Sequence, residues 1–286
     1  MKNLTLPPYN DNILLGTLSR NTRLGSHPLL LQNLQQILTQ YNLYQQHGGN
    51  PWNLNIITIP TALEDSLEAH YTRPPNALGM IKVMRDEVSP DVCPMCGSLF
   101  TSELDHFLPQ EDYPWFTVLT KNLIPACKCN RLKGTIVQGT NNTQHFLHPY
   151  YANCLNNRLI TCTIVGQPNY FTPSISLNNY IGAAVGNCSN GAINFHIDEL
   201  IKKTNILNFL DKKWAKLVHD PSSIIMTFPD TVINTIPECR NYIQNSLNRW
   251  DRQLGTPNNW MSILFSGILN NAAAIDWIYH RHNAIV

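Results

Sequence analysis

The stretch CPMCGSLFTSELDHFLPQEDYPWFTVLTKNLIPACKCNRLKG, residues 93–134, decides how this chain reads. It opens on Cys93-Pro-Met-Cys96-Gly97 and carries a second pair, Cys127-Lys-Cys129, near its end. Two thiolates at the C-x-x-C spacing can bind one ion, and the glycine permits the tight turn behind them. With the second pair they would complete a tetrahedral four-thiolate site, which in a small module substitutes for a large apolar core. The expected ion is a structural Zn²⁺. The C-x-C spacing of the second pair leaves open whether both Cys127 and Cys129 bind. Reduced, buried cysteine turns without metal are the plainer alternative. A site of four thiolates has no open position for water. Any chemistry therefore has to come from residues between the pairs or just after the second.

Those residues include Leu104-Asp105-His106-Phe107-Leu108-Pro109, Lys121-Asn122 and Cys129-Asn130-Arg131-Leu132-Lys133-Gly134. Their types suit phosphodiester hydrolysis. A base near neutral pH must activate water, and His106 is the natural choice. A hard cation, Mg²⁺ or Mn²⁺, must neutralise charge on the phosphate and leaving oxygen. Such cations prefer oxygen ligands, which the Asp105 carboxylate and the Asn130 amide supply. If Asn130 and Lys133 share a helix they face the same way, so Lys133 could meet a substrate phosphate, as could Arg131 beside it. Strand geometry sets a demand. On a regular strand Asp105 and His106 point to opposite faces, so both serve one site only if the strand ends or bends there. Each residue type alone is commonplace; their position between and after two cysteine pairs makes the combination specific.

Outward from this stretch, the 286-residue chain is 43% hydrophobic and only 14% charged, with a formal net charge of +1. Real cores are expected, under a surface rich in Asn and Gln. No global field attracts a polyanion, so nucleic-acid binding must come from local basic patches or a partner. No apolar run approaches the ~20 residues that span a bilayer, and MKNLTLPPYND has no signal-peptide core. No membrane role and a cytoplasmic location are expected. In that setting the eight cysteines read as thiols and metal ligands rather than disulfides. Cys154, Cys162, Cys188 and Cys239 then read as small buried hydrophobes.

Residues 1–28 read as irregular. Helical periodicity runs from Leu29 to about Gln46, from Thr61 through His70, and from about Pro75 to Glu87. In the last third it covers about 197–218, 237–253 and 260–282. NLNIITIP (53–60) reads as a short strand or extended linker, and LITCTIV (159–165) and AINFHI (192–197) as strands. The expected class is α+β: a small zinc-braced ββα module, residues 89–151, between helical regions 1–88 and 152–286. Trp115 and Phe116 are expected to close the core over the zinc rather than to stack on a base, and His148 to sit in a packed turn rather than to back the site or touch substrate. The lysines at 202, 203, 212, 213 and 216 read as a solvated helix face, and His280 and His282 as structural or exposed.

CPMCG, LDHFLP, KNLIPAC and CKCNRLKG together resemble the HNH (ββα-metal) endonuclease family. Its pattern is a C-x-x-C knuckle, an Asp-His, a middle Asn, and a second cysteine pair followed by Asn or His and a basic residue. The resemblance implies His106 as general base and Asp105 and Asn130 as ligands of one divalent cation. It implies Asn122 as a catalytic-set residue that fixes the loop between the strands and orients the His106 ring. The shortened CKC departs from the pattern and bears on the fourth zinc ligand. A narrower similarity, over about residues 70–151, is to the HNH subunit of Septu-type anti-phage defence systems, including those attached to retrons. It rests on HYTRPPNALGMIKVMRDEV (70–88), DHFLPQEDYPWFTVLTKNLIPACKCNRLKGT (105–135) and FLHPYY (146–151). It implies a DNA or RNA substrate such as tRNA and an ATPase subunit as partner. In retron-linked members it further implies a reverse transcriptase–DNA/RNA complex. The alternative is a zinc knuckle that binds nucleic acid or protein without cutting. Convergence of Asp105, His106 and Asn130 on one cavity distinguishes the two.

Overall fold

The computed structural model describes residues 1–86, 90–165, 174–179 and 186–286. In chain order the elements are α1 (Asp11–Ser19), α2 (Leu29–His47), α3 (Thr61–Thr72), α4 (Gly79–Asp86), β1 (Glu103–His106), β2 (Leu123–Ala126) and α5 (Cys129–Lys133). There follow β3 (Ile160–Val165), β4 (Ser174–Asn179), α6 (Asn190–Glu199), α7 (Ile206–His219), α8 (Ile236–Leu254), α9 (Trp260–Leu269) and α10 (Ala272–Asn283). Local chemistry sets many of the boundaries. The side chains of Asn10, Ser189, Thr235, Asn259 and Asn271 each accept an N–H from the first turn of the helix they precede. Gly48 and Gly255 end α2 and α8 in the left-handed conformation.

β1 and β2 pair antiparallel, with Glu103 opposite Ala126 and His106 opposite Leu123. β3 and β4 form a second antiparallel pair, with Ile160 opposite Asn179. The fold is thus α+β, mixed helix with small sheets. A two-stranded sheet is marginal alone, and each leans on helices. One apolar core joins α1–α4 to β1, β2 and the cysteine knuckle, and buries Tyr41, Tyr44, Leu63, Trp115 and Phe116. The other packs β3 and β4 with α6–α10 around Trp214, Ile243 and Phe265. Trp260 packs against both. No single helix among the described residues is long and apolar enough to cross a membrane. α9 and α10 qualify only as a pair bent by 98°, and α9 is buried from Met261 to Leu269.

Several expectations are corrected. AINFHI is not a strand but part of α6, begun by the Ser189 cap; Ala192, Ile193, His196 and Ile197 are buried at helical spacing. Residues 1–28 are not wholly irregular, since Asn10 starts α1. The helix expected over 197–218 is broken by a 3₁₀ turn at Ile201–Lys203, and that over 260–282 by the Asn271 cap. Of the two readings of NLNIITIP the linker stands, since residues 54–60 form no strand. The helix end at Glu87 and the boundary between residues 88 and 89 lie outside the described residues. Cys154 and Cys188 are not thiols: they form a disulfide with Cα atoms 6.0 Å apart. Cys162 and Cys239 are buried and free. Trp115 and Phe116 share the apolar cluster that holds Cys93, Cys96 and Cys129, and Phe116 also meets Tyr44 of α2 edge-on with centroids 4.9 Å apart.

Candidate active site

The knuckle turn closes at Gly97, whose φ is 82°. A Cβ there would run into the Asn258 carbonyl and the Met1 nitrogen, so only glycine fits. The turn brings the sulfurs of Cys93, Cys96, Cys127 and Cys129 within 4.8 Å of one another. Cys93 and Cys129 are 3.6 Å apart, Cys96 and Cys127 3.5 Å. Metal–thiolate bonds of about 2.3 Å in a tetrahedron separate sulfurs by roughly 3.8 Å. The cluster could therefore hold a metal ion, and both Cys127 and Cys129 belong to it. Hydrogen bonds from the Cys129, Cys93 and Cys96 thiols hold the Cys127 thiol far below its ordinary pKa, and Cys129 is pushed up in turn. Four thiols in contact cannot all ionise unless a cation joins them.

The knuckle is tied to the second core through its carbonyls. His196 Nε2 donates to Met95 O at 2.7 Å, and Trp260 Nε1 to Cys96 O at 2.9 Å. The Trp260 backbone N–H donates to Gly97 O at 3.1 Å. A carbonyl only accepts, so His196 carries its proton on Nε2. Its Nδ1 accepts from Leu147 N–H at 3.1 Å. Burial holds the His196 pKa down at about 4, so the ring is neutral.

Where β1 ends, Asp105 and His106 line a cleft of about 230 Å³ with Glu111, Asn130, Arg131 and Lys133. Adjacent strand residues share it because the strand stops at His106, and Asp105 Oδ1 turns back to accept the His106 N–H at 2.7 Å. His106 Nε2 donates to the Thr117 carbonyl at 2.9 Å. Nε2 therefore bears the proton, and the Nδ1 lone pair has no protein partner among the described residues. Burial lowers the ring's pKa, against the opposing pull of the Thr117 carbonyl and Asp105. α5 begins at Cys129, so the thiol cluster fixes its position and buries Asn130 and Lys133 together. Asn130 Nδ2 donates to His106 O at 3.1 Å. Among the described residues, Asp105 Oδ2, His106 Nδ1 and Asn130 Oδ1 have no protein hydrogen-bond partner.

The basic residues differ. Lys133 is 2% exposed; its Nζ donates to Phe107 O at 2.5 Å. Burial lowers its pKa to about 8. Arg131 is largely exposed at the rim and pairs with Glu103 at 2.7 Å.

Asn122, expected in the catalytic set, does not line the cleft. It is fully buried and acts as a positioning residue. Its Nδ2 donates to Leu108 O and Phe116 O at 3.0 and 3.3 Å, and its Oδ1 accepts from Leu108 N–H at 2.8 Å. It thus fixes the loop that ends in the Thr117 carbonyl, without a hydrogen bond to the His106 ring. The Tyr44 hydroxyl donates to Asn122 Oδ1 at 3.0 Å and accepts from His148 Nε2 at 2.9 Å. His148 Nδ1 accepts from Tyr150 N–H. His148 is therefore more than a packed turn: it ends a directed chain that reaches the loop. Behind it, Asp11 accepts from Thr120 N–H and from Lys121 Nζ at 2.9 and 2.8 Å.

Glu111, Tyr71 and Thr117 also shape the site, beyond the residues that the motifs contain. Tyr71 lays its ring on His106 with centroids 4.4 Å apart, and its hydroxyl donates to Leu104 O. Only Glu111 had a signal, as an acid five residues beyond His106; the roles of Tyr71 and the Thr117 carbonyl arise from packing.

Protein ea31 of Escherichia phage lambda is 28% identical to this chain over 169 residues, covering 52% of this chain and 56% of that protein. The chain thus spans little more than half the length of the curated relative it matches. No family model matches the chain, and no solved structure does.

Proposed function

We propose that this protein is a metal-dependent HNH endonuclease that hydrolyses phosphodiester bonds in nucleic acid, with a structural Zn²⁺ at Cys93, Cys96, Cys127 and Cys129. The observation that carries the reading is the convergence of Asp105, His106 and Asn130 on one cleft, each with an atom unclaimed by the protein. The order β1–β2–α5, two antiparallel strands and then a helix, is the order expected of the ββα module. Asp105 Oδ2 and Asn130 Oδ1 would hold a cation of the Mg²⁺ or Mn²⁺ class. When bound, that ion supplies charge neutralisation at the phosphate and leaving oxygen.

His106 Nδ1 takes the proton of the attacking water. The Nε2–H bond to Thr117 O holds the ring in that tautomer, and burial keeps it in the neutral, basic form near pH 7. Lys133, with one N–H on Phe107 O, keeps two N–H groups for a substrate phosphate. Arg131 reaches a phosphate by exchanging Glu103 for it.

The motif similarity over residues 70–151 supports an effector role in anti-phage defence of the Septu or retron-linked kind. There the chain would act with an ATPase subunit and, in the retron case, a reverse transcriptase–DNA/RNA complex. The formal charge of +1 supports dependence on a partner for nucleic-acid capture. The test incubates purified protein, with and without that ATPase subunit, with labelled plasmid DNA or total tRNA in Mg²⁺, Mn²⁺ or EDTA. Metal-dependent cutting of one substrate supports the reading and names DNA or RNA. No cutting under any condition favours the non-catalytic knuckle.

A further inference from the structure

A second cavity, of about 370 Å³, lies at the C-terminal end of α2 and is walled on the other side by residues 145–152. Among the described residues, no Lys, Arg, Asp or Glu lines it. Its polar groups include the amides of Gln45, Gln46 and Asn53 and the imidazoles of His47 and His145. Among the described residues, the side chains of Gln45, Gln46, His47 and Asn53 have no hydrogen-bond partner. His145 Nδ1 donates to Phe146 O at 3.0 Å, which leaves Nε2 as an acceptor.

This lining selects a chemistry. A phosphate, carboxylate or ammonium group would find no countercharge. A purely apolar ligand would leave the half-buried Gln45 amide and His47 ring unpaired. A flat, uncharged ligand with both donors and acceptors on its edge suits the set. Asn and Gln amides read such edges two bonds at a time, and aromatic rings stack on its faces. The volume falls in the ordinary range for small-ligand sites, about 300–1,000 Å³.

We propose that this cavity is a nucleobase-binding site, taking the base of a free nucleoside or of a nucleic-acid strand. It is separate from the Asp105–His106 cleft and its existence does not depend on the nuclease reading. It shares His148 with the chain through Tyr44 to Asn122, so its occupant sits against the residues that hold the His106 loop.

The test follows the side-chain NH₂ signals of Gln45, Gln46 and Asn53 by NMR in the full-length protein. Adenosine, guanosine, cytidine, uridine, a mixed-sequence single-stranded hexanucleotide and a hexose are titrated separately. The expected result is saturable shifts of those signals with at least one nucleoside or with the hexanucleotide. Affinity falls about tenfold or more in Gln46→Ala/Asn53→Ala, two exposed positions whose truncation leaves the fold intact, and holds in His106→Ala. Shifts with nucleosides identify a free base as sufficient; shifts with the hexanucleotide alone identify a strand. Shifts with the hexose alone, no shifts at all, or wild-type affinity in the double variant overturn the proposal.

Discussion

Replacing Asn122 by Ala tests the positioning chain most sharply. The side chain is fully buried and makes four hydrogen bonds, to Leu108 N–H, Leu108 O, Phe116 O and the Tyr44 hydroxyl. At about 1 kcal/mol net for each bond, the loss is about 4 kcal/mol. It is larger if the abandoned groups stay dry, since each then costs about 1–3 kcal/mol. Set against the 5–15 kcal/mol typical of a folded domain, this is a large share. It corresponds to a fall in melting temperature of roughly 8–16 °C. Urea and thermal unfolding of the metal-loaded protein, wild type against Asn122→Ala, measure it. A loss below about 1 kcal/mol would mean that the loop holds without its clamp, contrary to the four hydrogen bonds assigned to it.

Breaking the buried Asp11–Lys121 pair, 2.8 Å apart, by Asp11→Ala should cost about 3–5 kcal/mol, and Asp11→Ala/Lys121→Met should cost less, because no unpaired charge stays inside; urea unfolding of both variants checks the order. Cys93→Ser or Cys96→Ser should lower bound zinc well below one per chain and reduce stability, read by elemental analysis and melting; full zinc content in both variants would remove the metal centre. The Cys154–Cys188 bridge closes a loop over a sequence separation of 34, worth about 4 kcal/mol, so Cys188→Ser should melt markedly earlier under oxidising conditions and the difference should vanish with reductant. Burial holds the His148 pKa at about 3, below the ordinary value of about 6.5. The stability tied to neutral His148 is therefore whole above pH 6.5 and is lost as pH falls toward 3. Between pH 7 and 5 the wild type should lose about 2 kcal/mol more than His148→Gln, measured by urea unfolding at both pH values.

The metal and cleft residues were legible because their chemistry is local and spacing-bound. Cys93 and Cys96 sit on one turn, and Asn130 follows the last cysteine directly, so the helix that the cluster starts carries the cleft's amide. The neighbours Asp105 and His106 met the demand for a strand end at that point. What the sequence hid was tertiary. AINFHI suits either period, and the Ser189 cap decides for helix. The Cys154–Cys188 pair depends on two segments that meet only after folding. The loop-fixing role of Asn122 was expected; hidden was its course, since its hydrogen bonds run to the loop and to Tyr44 on a distant helix and not to the His106 ring. The cavity beside α2 draws on residues from Gln45 to Cys188, and no contiguous motif announces it.

The decisive comparison is single-site: metal-dependent cleavage by His106→Ala against wild type, with and without the proposed ATPase subunit, and with zinc content and melting measured on the same samples. If His106 is the general base and not a thiolate-site ligand, cleavage is lost while zinc content and folding stay intact. Undiminished cleavage in the folded, zinc-loaded variant would contradict it.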